Sequence, residues 1–292
     1  MTGEQKNMKQ RSMDQKTLER EYSPSSCVDD IMVYLQQYID QSAAAHKRLA
    51  PHCRKDIKYG PQPRSHMDIF LPKGDGLKPV HVFIHGGYWQ ELSKAESAFA
   101  APNFTDHNIL FIALDYTLAP AASLFEIVAQ VRSAALWLLN NIERYGGDNN
   151  NITLSGSSAG AHLVAEILSM DWQKYGYDFC PIKGACEVSG IFDLRPIVRT
   201  YINDPLRMTA ADAAALSPRF HIPPTACPVI FSYGGNETLE FKRQTQEYQQ
   251  AWQAAGHPAS YIDMPAFNHF DVILELGNPD SPLFQAILGQ IL

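Results

Sequence analysis

The sequence predicts an α/β fold, a mostly parallel β-sheet with helices packed on both faces. Three observations predict it. From residue 80 onward, short apolar runs alternate with stretches of helical period, the pattern that builds parallel strand–helix–strand units. Residues 80–84 and 109–114 are almost continuously apolar, as strands buried on both faces must be. Apolar residues make up 45% of the 292-residue chain and charged residues 19%, which is enough apolar material for a substantial core. A chain of this length still fits a single domain of this class.

Residues 1–20 are polar and charged and are expected to be a mobile or loosely helical segment ahead of a single domain spanning 21–292. They contain no apolar stretch of the kind a signal peptide needs. Nowhere does a run approach 18 apolar residues, so no membrane span is expected. The net charge of −7 argues against a nucleic-acid partner, whose binders are usually basic. A cytoplasmic protein acting on a small molecule is the expectation. A homodimer is the one assembly kept open.

Residues 28–49 carry Ile31, Tyr34, Leu35, Tyr38 and Ile39 at three- and four-residue spacing, which predicts a helix. Asp29 and Asp30 sit in its first turn, where negative charge favours the helix dipole. Residues 56–59 and 66–71 flank the turn Gly60-Pro61-Gln62-Pro63 and predict an antiparallel hairpin. Strands are then expected at 80–84, 109–114, 151–154, 183–188, 228–233 and 260–263. Helices are expected at 95–106, 123–145, 159–170, 240–255, 271–276 and 281–292. The 123–145 helix would bury Phe125, Val128, Val131, Ala135, Leu138 and Leu139. Residues 192–226 are richer in Pro and Asp and show no strand pattern. They read as an insertion over the edge of the sheet where ligands bind in open α/β folds, and so as a lid.

The five cysteines, Cys27, Cys53, Cys180, Cys186 and Cys227, are odd in number, scattered and in no C-x-x-C pair. They form neither a disulfide framework nor a zinc site, and read as free buried thiols in a reducing compartment.

The chemistry is concentrated in two short stretches. Gly156-Ser157-Ser158-Ala159-Gly160 matches G-x-S-x-G between an apolar strand and an apolar helix. A nucleophilic serine at such a turn sits in strained backbone, and the flanking glycines let strand and helix close on it. Ser158 is therefore the candidate nucleophile; Ser155 and Ser157 lack the flanking glycines. His85-Gly86-Gly87-Tyr88-Trp89 follows directly on the buried 80–84 strand. Acyl transfer places negative charge on a carbonyl oxygen, and each backbone amide aimed at that oxygen lowers the barrier by about 3 kcal/mol. The amides of Gly87 or Tyr88, with that of Ala159, are the candidate donors. His85 reads as a hydrogen-bonded structural residue. Together these motifs predict an α/β-hydrolase fold with the small lid at 192–226.

In this fold the acid and the base follow the nucleophile in that order. His269, after the last strand, is the candidate base. His221 in the lid is the weaker alternative, His257 reads as surface, and His162 reads as a packing residue in the helix after Ser158. Glu237, in the loop after the 228–233 strand, is the candidate acid, with Glu240 and Asp263 as fallbacks. Its other reading is a helix-start residue. No metal or organic cofactor is called for.

The motifs also carry a resemblance. His85-Gly86-Gly87-Tyr88-Trp89 matches the HGGxW signature of the arylformamidases, or kynurenine formamidases. The segments around Ser158, Glu237-Thr238-Leu239-Glu240-Phe241-Lys242-Arg243-Gln244 and Asn268-His269-Phe270-Asp271 are similar to that family's nucleophile, acid and base loops. Asp115-Tyr116-Thr117-Leu118-Ala119-Pro120 resembles the D-Y-x-L-A-P element of the wider hormone-sensitive-lipase-like esterases. The likeness spans roughly residues 18–276, with Glu237 standing where the family has Asp. It implies an oxyanion hole at the amides of Gly87 and Tyr88 and hydrolysis of N-formylkynurenine to kynurenine and formate. Tyr88 and Trp89 would then bind the arylamine ring; their other reading is plain packing. The rival expectations are a carboxylesterase acting on small esters and a non-catalytic binding protein on a hydrolase scaffold.

Overall fold

The structure, a computed structural model, describes residues 13–292. The expected mobility of residues 1–20 falls partly outside that range. Within it, Gln15–Glu21 forms helix α1, with Asp14 accepting from the Thr17 amide as its cap. Helix α2, Met32–Arg48, follows; its start is set by Asp30, whose carboxylate accepts the Met32 amide at 2.8 Å. Tyr38 and Ala45 are its buried apolar residues, whereas Ile39 is exposed.

Strands β1, Cys53–Lys58, and β2, His66–Phe70, form the expected antiparallel hairpin. β3, Lys78–Ile84, is the first of the parallel strands. The helix expected over residues 95–106 breaks into a 3-10 turn at Lys94–Glu96 and a short α3 at Ala101–Asp106. Pro102 explains the break, because proline is tolerated only in the first turn of a helix. β4 is Leu110–Leu114, and α4 is Leu124–Asn141, opened by a reciprocal Ser123–Glu126 capping box. Phe125, expected on its buried face, is exposed instead. It lies beside Leu124, which takes the inward position.

β5, Gly147–Ser157, runs into α5, Ala159–Leu168. β5 begins earlier than residues 151–154 because Gly147 already pairs with Lys78 across to β3. β6 is Gly184–Val188. The 192–226 segment holds only short pieces, α6 at Asn203–Leu206, α7 at Ala210–Ala215 and two 3-10 turns. β7, Val229–Gly234, α8, Leu239–Ala254, and β8, Ala259–Met264, complete the sheet. A 3-10 turn at Val272–Gly277 and α9, Pro282–Ile291, close the chain.

Among the described residues the strands form one eight-stranded sheet in the order β1-β2-β4-β3-β5-β6-β7-β8. The hairpin and the β2–β4 pair are antiparallel, and the remaining pairs are parallel. The two-residue period of a strand sorts its side chains to two cores. Val80, Val82 and Ile84 of β3 join Leu138, Leu163 and Tyr248 from α4, α5 and α8. Phe83 joins Phe104, Phe284 and Ile287 from α3 and α9 on the other face. Each of these fully buried large side chains contributes about 1.5–3 kcal/mol of hydrophobic stabilisation. Among the described residues no helix is long and apolar enough to cross a membrane. Cys180, Cys186 and Cys227 are free and buried, whereas Cys53 is free and half-buried and Cys27 free and exposed, both contrary to the expectation of buried thiols.

The consequence for function is positional. β3, β5, β6, β7 and β8 are parallel neighbours, so the segments that leave their C-terminal ends all emerge at one edge of the sheet. That is where open α/β sheets bind ligands.

Candidate active site

The strand-to-helix turn is built around Ser158. Its φ of 57° and ψ of −118° lie in backbone space that a non-glycine residue seldom occupies. Contacts hold it there. The Ser158 amide donates to the Val188 carbonyl at 2.8 Å. A Cβ on Gly156 would stand 2.3 Å from the Gly160 oxygen, and one on Gly160 would stand 2.0 Å from the Ile84 oxygen. Only glycine permits so close an approach. Ser155 is turned away and hydrogen-bonds with the buried His81 ring.

The loop leaving β3 packs directly on this turn. A Cβ on Gly86 would meet the Ser157 oxygen at 2.8 Å and the Ser158 Cβ at 3.3 Å. Gly87, Tyr88 and Trp89 then take left-handed φ values of 88°, 49° and 60° in succession. The Gly87 carbonyl closes the turn by accepting from the Gln90 and Glu91 amides, both at 2.9 Å. Among the described residues the amides of Gly87, Tyr88 and Ala159 donate to no protein acceptor. Gly87 and Tyr88 line a cavity of about 270 Å³ together with Ser157 and Ser158. Ala159, the first residue of α5, is not part of that lining.

A polar cluster steadies the loop from below. Tyr116 donates to the carbonyls of His85 and Gly86 at 3.0 and 3.3 Å, and its ring stacks on His85 with centroids 4.2 Å apart. Asp115 faces His85 Nε2 at 3.4 Å and pairs with Arg64 at 2.7 Å. Burial opposes ionisation of Asp115, but the hydrogen bonds and charges of His85 and Arg64 outweigh it and hold the carboxyl below its usual range. These contacts are those of a hydrogen-bonded supporting residue, and His85 also lines the cavity.

Glu237 and His269 meet at the same edge. His269 Nδ1 lies 2.8 Å from Glu237 Oε2. The second oxygen of Glu237 accepts from the Ser189 hydroxyl and the Gly234 amide, both at 2.6 Å. Both residues are buried, and these bonds satisfy a carboxylate that burial alone would penalise. Phe241 lies against the imidazole with centroids 4.4 Å apart and restricts its rotation. Asp271 ties back to the Asn268 amide at 2.6 Å, which fixes the loop that carries His269. Among the described residues nothing else hydrogen-bonds to the ring, so Nε2 is left for the cavity that His269 and Ser158 both line.

The alternatives fall elsewhere. His221 is bonded to the Ala214 carbonyl and His257 to the Pro223 carbonyl, and neither lines the cavity. His162 is fully buried and donates to the Leu216 carbonyl; burial pushes its pKa down to about 4. Glu240 is engaged by Arg243 and Tyr22. Asp263 belongs to β8, where its nearest side-chain partner is Tyr261 at 3.5 Å. Glu237 stands directly before Thr238, the N-cap of the next helix, as its helix-start reading has it, but its side chain makes no cap there and is engaged by His269, Ser189 and the Gly234 amide.

Tyr88 and Trp89 separate. Tyr88 lines the cavity. Trp89 is fully buried, stands edge-on to His162 at 5.1 Å and lies outside the cavity. Trp89 is therefore a packing residue and not the ring-binding residue expected for it. The aromatic wall is supplied instead by Tyr38 of α2, by Phe99 and by Phe270, with Tyr201 and Ile202 of the 192–226 segment closing another side. Sequence reasoning missed Ser189 and this wall. Ser189 carries a signal of a kind, a small polar residue directly after the buried strand β6; the wall has none. Among the described residues no group of three or more His, Cys, Asp or Glu side chains is placed to hold a metal ion.

Comparison with known proteins agrees with this architecture. The BD-FAE family model matches residues 67–252. The chain is 34% identical to the kynurenine formamidase of Danio rerio, with 96% of this chain and 98% of the relative aligned. It is 32% identical to that of Salmo salar, with 95% and 97% aligned. A crystal structure of a proposed thioesterase from a Silicibacter species superposes with a TM-score of 0.82 at 28% identity, covering 93% of this chain and 98% of that one.

Proposed function

Since the chain belongs to the BD-FAE family and, by its full-length likeness to the fish enzymes, to the kynurenine formamidases, we propose that it hydrolyses an aryl formamide, N-formylkynurenine, to kynurenine and formate. It is a hydrolase of the α/β-hydrolase fold. The observation that carries the mechanism is the Glu237–His269 hydrogen bond at the rim of the cavity that Ser158 lines.

In this mechanism Ser158 attacks the formyl carbon while His269 Nε2 accepts its proton. Glu237 holds Nδ1 protonated and stabilises the imidazolium that forms. The amides of Gly87, Tyr88 and Ala159 receive the oxyanion. They are preorganised, because the strained loop is pinned by the Tyr116 hydroxyl and by close packing on Ser158. His269 then protonates the arylamine nitrogen as it leaves, and water releases formate from Ser158 by the same steps in reverse order. An aryl formamide suits the site chemically. Its nitrogen lone pair is drawn partly into the ring, so its carbonyl is more ester-like than that of an alkyl amide. Tyr88, Tyr38, Phe99 and Phe270 supply rings against which an arylamine can pack. Tyr201 and Ile202 support a lid role for residues 192–226. Five free cysteines fit a cytoplasmic setting.

The same machinery serves esters, and the structural neighbour proposed as a thioesterase makes a small-ester hydrolase the second reading. Parallel kcat/KM measurements on N-formyl-L-kynurenine and a short-chain p-nitrophenyl ester, with Ser158→Ala as blank, decide between them. A strong preference for the formamide supports the first reading. Ester hydrolysis alone overturns the substrate while leaving the mechanism standing.

A further inference from the structure

The loop that carries Glu237 and the loop that carries the Gly87 and Tyr88 amides are joined by two adjacent residues from the other end of the chain. Helix α8 begins at Leu239, two residues after Glu237, and the side chain of its N-cap residue Thr238 does not cap it. The cap comes from Glu21. Its carboxylate accepts from the Leu239 amide at 2.9 Å and the Glu240 amide at 3.4 Å, across 218 and 219 residues of sequence. An anion at a helix N-terminus satisfies otherwise orphaned donors and favours the dipole. Thr238 is buried and donates its hydroxyl to the Glu21 carbonyl at 2.7 Å.

Tyr22 grips both sides. Its carbonyl accepts from the Tyr88 hydroxyl at 2.5 Å. Its own hydroxyl donates to Glu240 at 2.7 Å and accepts from Gln244 at 3.0 Å. Glu21 and Tyr22 are both buried. The first turn of α8 also carries Phe241, which packs on the His269 ring at 4.4 Å and on the Tyr88 ring at 6.5 Å. A shift of that turn therefore moves Glu237, the His269 ring and the Tyr88 anchor together.

We infer that Glu21 and Tyr22 form a strap of positioning residues that sets the distance between the Glu237–His269 pair and the oxyanion amides of Gly87 and Tyr88. The inference rests on the mechanism proposed above and adds residues that touch neither substrate nor reacting atoms. A misplacement of a catalytic group by about 1 Å costs as much as about 100-fold in rate. A strap that merely stabilised the fold would lower the melting temperature and leave kcat unchanged.

The test uses the full chain with Glu21→Ala, Glu21→Gln and Thr238→Val. The readouts are kcat and KM on the p-nitrophenyl ester and on N-formyl-L-kynurenine, thermal melting, and covalent labelling of Ser158 by an organophosphonate. Glu21→Ala is expected to lower kcat about tenfold with KM within about twofold of wild type. Glu21→Gln keeps an oxygen that accepts from the Leu239 amide and is expected to restore kcat to within about threefold. Should Glu21→Ala fail to fold, Thr238→Val removes the other bond of the strap and is expected to show the same loss of kcat at smaller size. A folded Glu21→Ala or Thr238→Val with wild-type kcat overturns the strap, as does a rise in KM with kcat unchanged. If wild type hydrolyses neither substrate and Ser158 takes no label, the catalytic reading itself falls and the strap with it.

Discussion

Glu237 and His269 lie 32 residues apart in sequence and meet at 2.8 Å, with the other oxygen of Glu237 held by the Ser189 hydroxyl and the Gly234 amide. Three strand ends thus converge on one carboxylate. With both oxygens partnered, the carboxylate is held in one orientation, and it turns the imidazole so that Nδ1 faces it and Nε2 is free to accept a proton from a serine.

This pairing makes Glu237 testable apart from fold. Glu237→Ala leaves His269 Nδ1 without an acceptor and is expected to lower kcat at least about 100-fold, since mis-setting the tautomer in a comparable triad costs about 10⁴-fold. Steady-state kinetics on either substrate reads it. A loss of less than tenfold would assign the third member elsewhere.

Ser158→Ala removes the nucleophile and His269→Ala removes the base. Each should cost about 10⁴-fold or more in kcat, and the double variant should cost little beyond either single one, because the groups act as a unit. Organophosphonate labelling followed by mass measurement of the Ser158 peptide checks the nucleophile independently of substrate.

Gly86→Ala drives a Cβ to within 2.8 Å of the Ser157 carbonyl and 3.3 Å of Ser158 Cβ. The oxyanion loop must then move off the nucleophile. We expect kcat to fall about 100-fold, comparable to the loss of one oxyanion donor, while KM changes little. A rise in KM with kcat unchanged would show that the loop shapes binding and not the charged intermediate.

Glu166 provides a pH prediction. Burial raises its pKa from 4.5 to about 7, with Arg132 acting in the opposite direction. A carboxyl whose pKa is raised on folding adds stability that is fully present below about pH 4.5 and is lost as pH rises through about 7. The variant Glu166→Gln cannot ionise, so its melting temperature relative to wild type should rise between pH 5 and pH 8, by roughly 2–4 °C. A constant difference across that range would show that the Arg132 pair at 2.6 Å keeps Glu166 ionised throughout.

What the sequence determined by itself is local. G-x-S-x-G and His85-Gly86-Gly87-Tyr88-Trp89 are legible because each glycine is required within a few residues of its own position, by a positive φ or by a backbone too close for a Cβ. Strand and helix order is legible for the same reason: the periods of two and 3.6 are short-range properties. Ser158 and His269 could therefore be singled out as candidates from motif and order along the chain, and the fold brings both to one cavity.

Tertiary structure decided what depends on distance through space. Trp89 reads as a ring for substrate, yet it packs on His162 inside the core, and Tyr38, Phe99 and Phe270 form the wall instead. Phe125 has the spacing of a core residue and stands in solvent. The support of Glu237 by Ser189 and the capping of α8 by Glu21 join segments 48 and 218 residues apart. No period or spacing encodes such pairs. They exist because packing two layers of helices on a sheet brings particular side chains together, and a buried polar group is stable only where that packing supplies its partner.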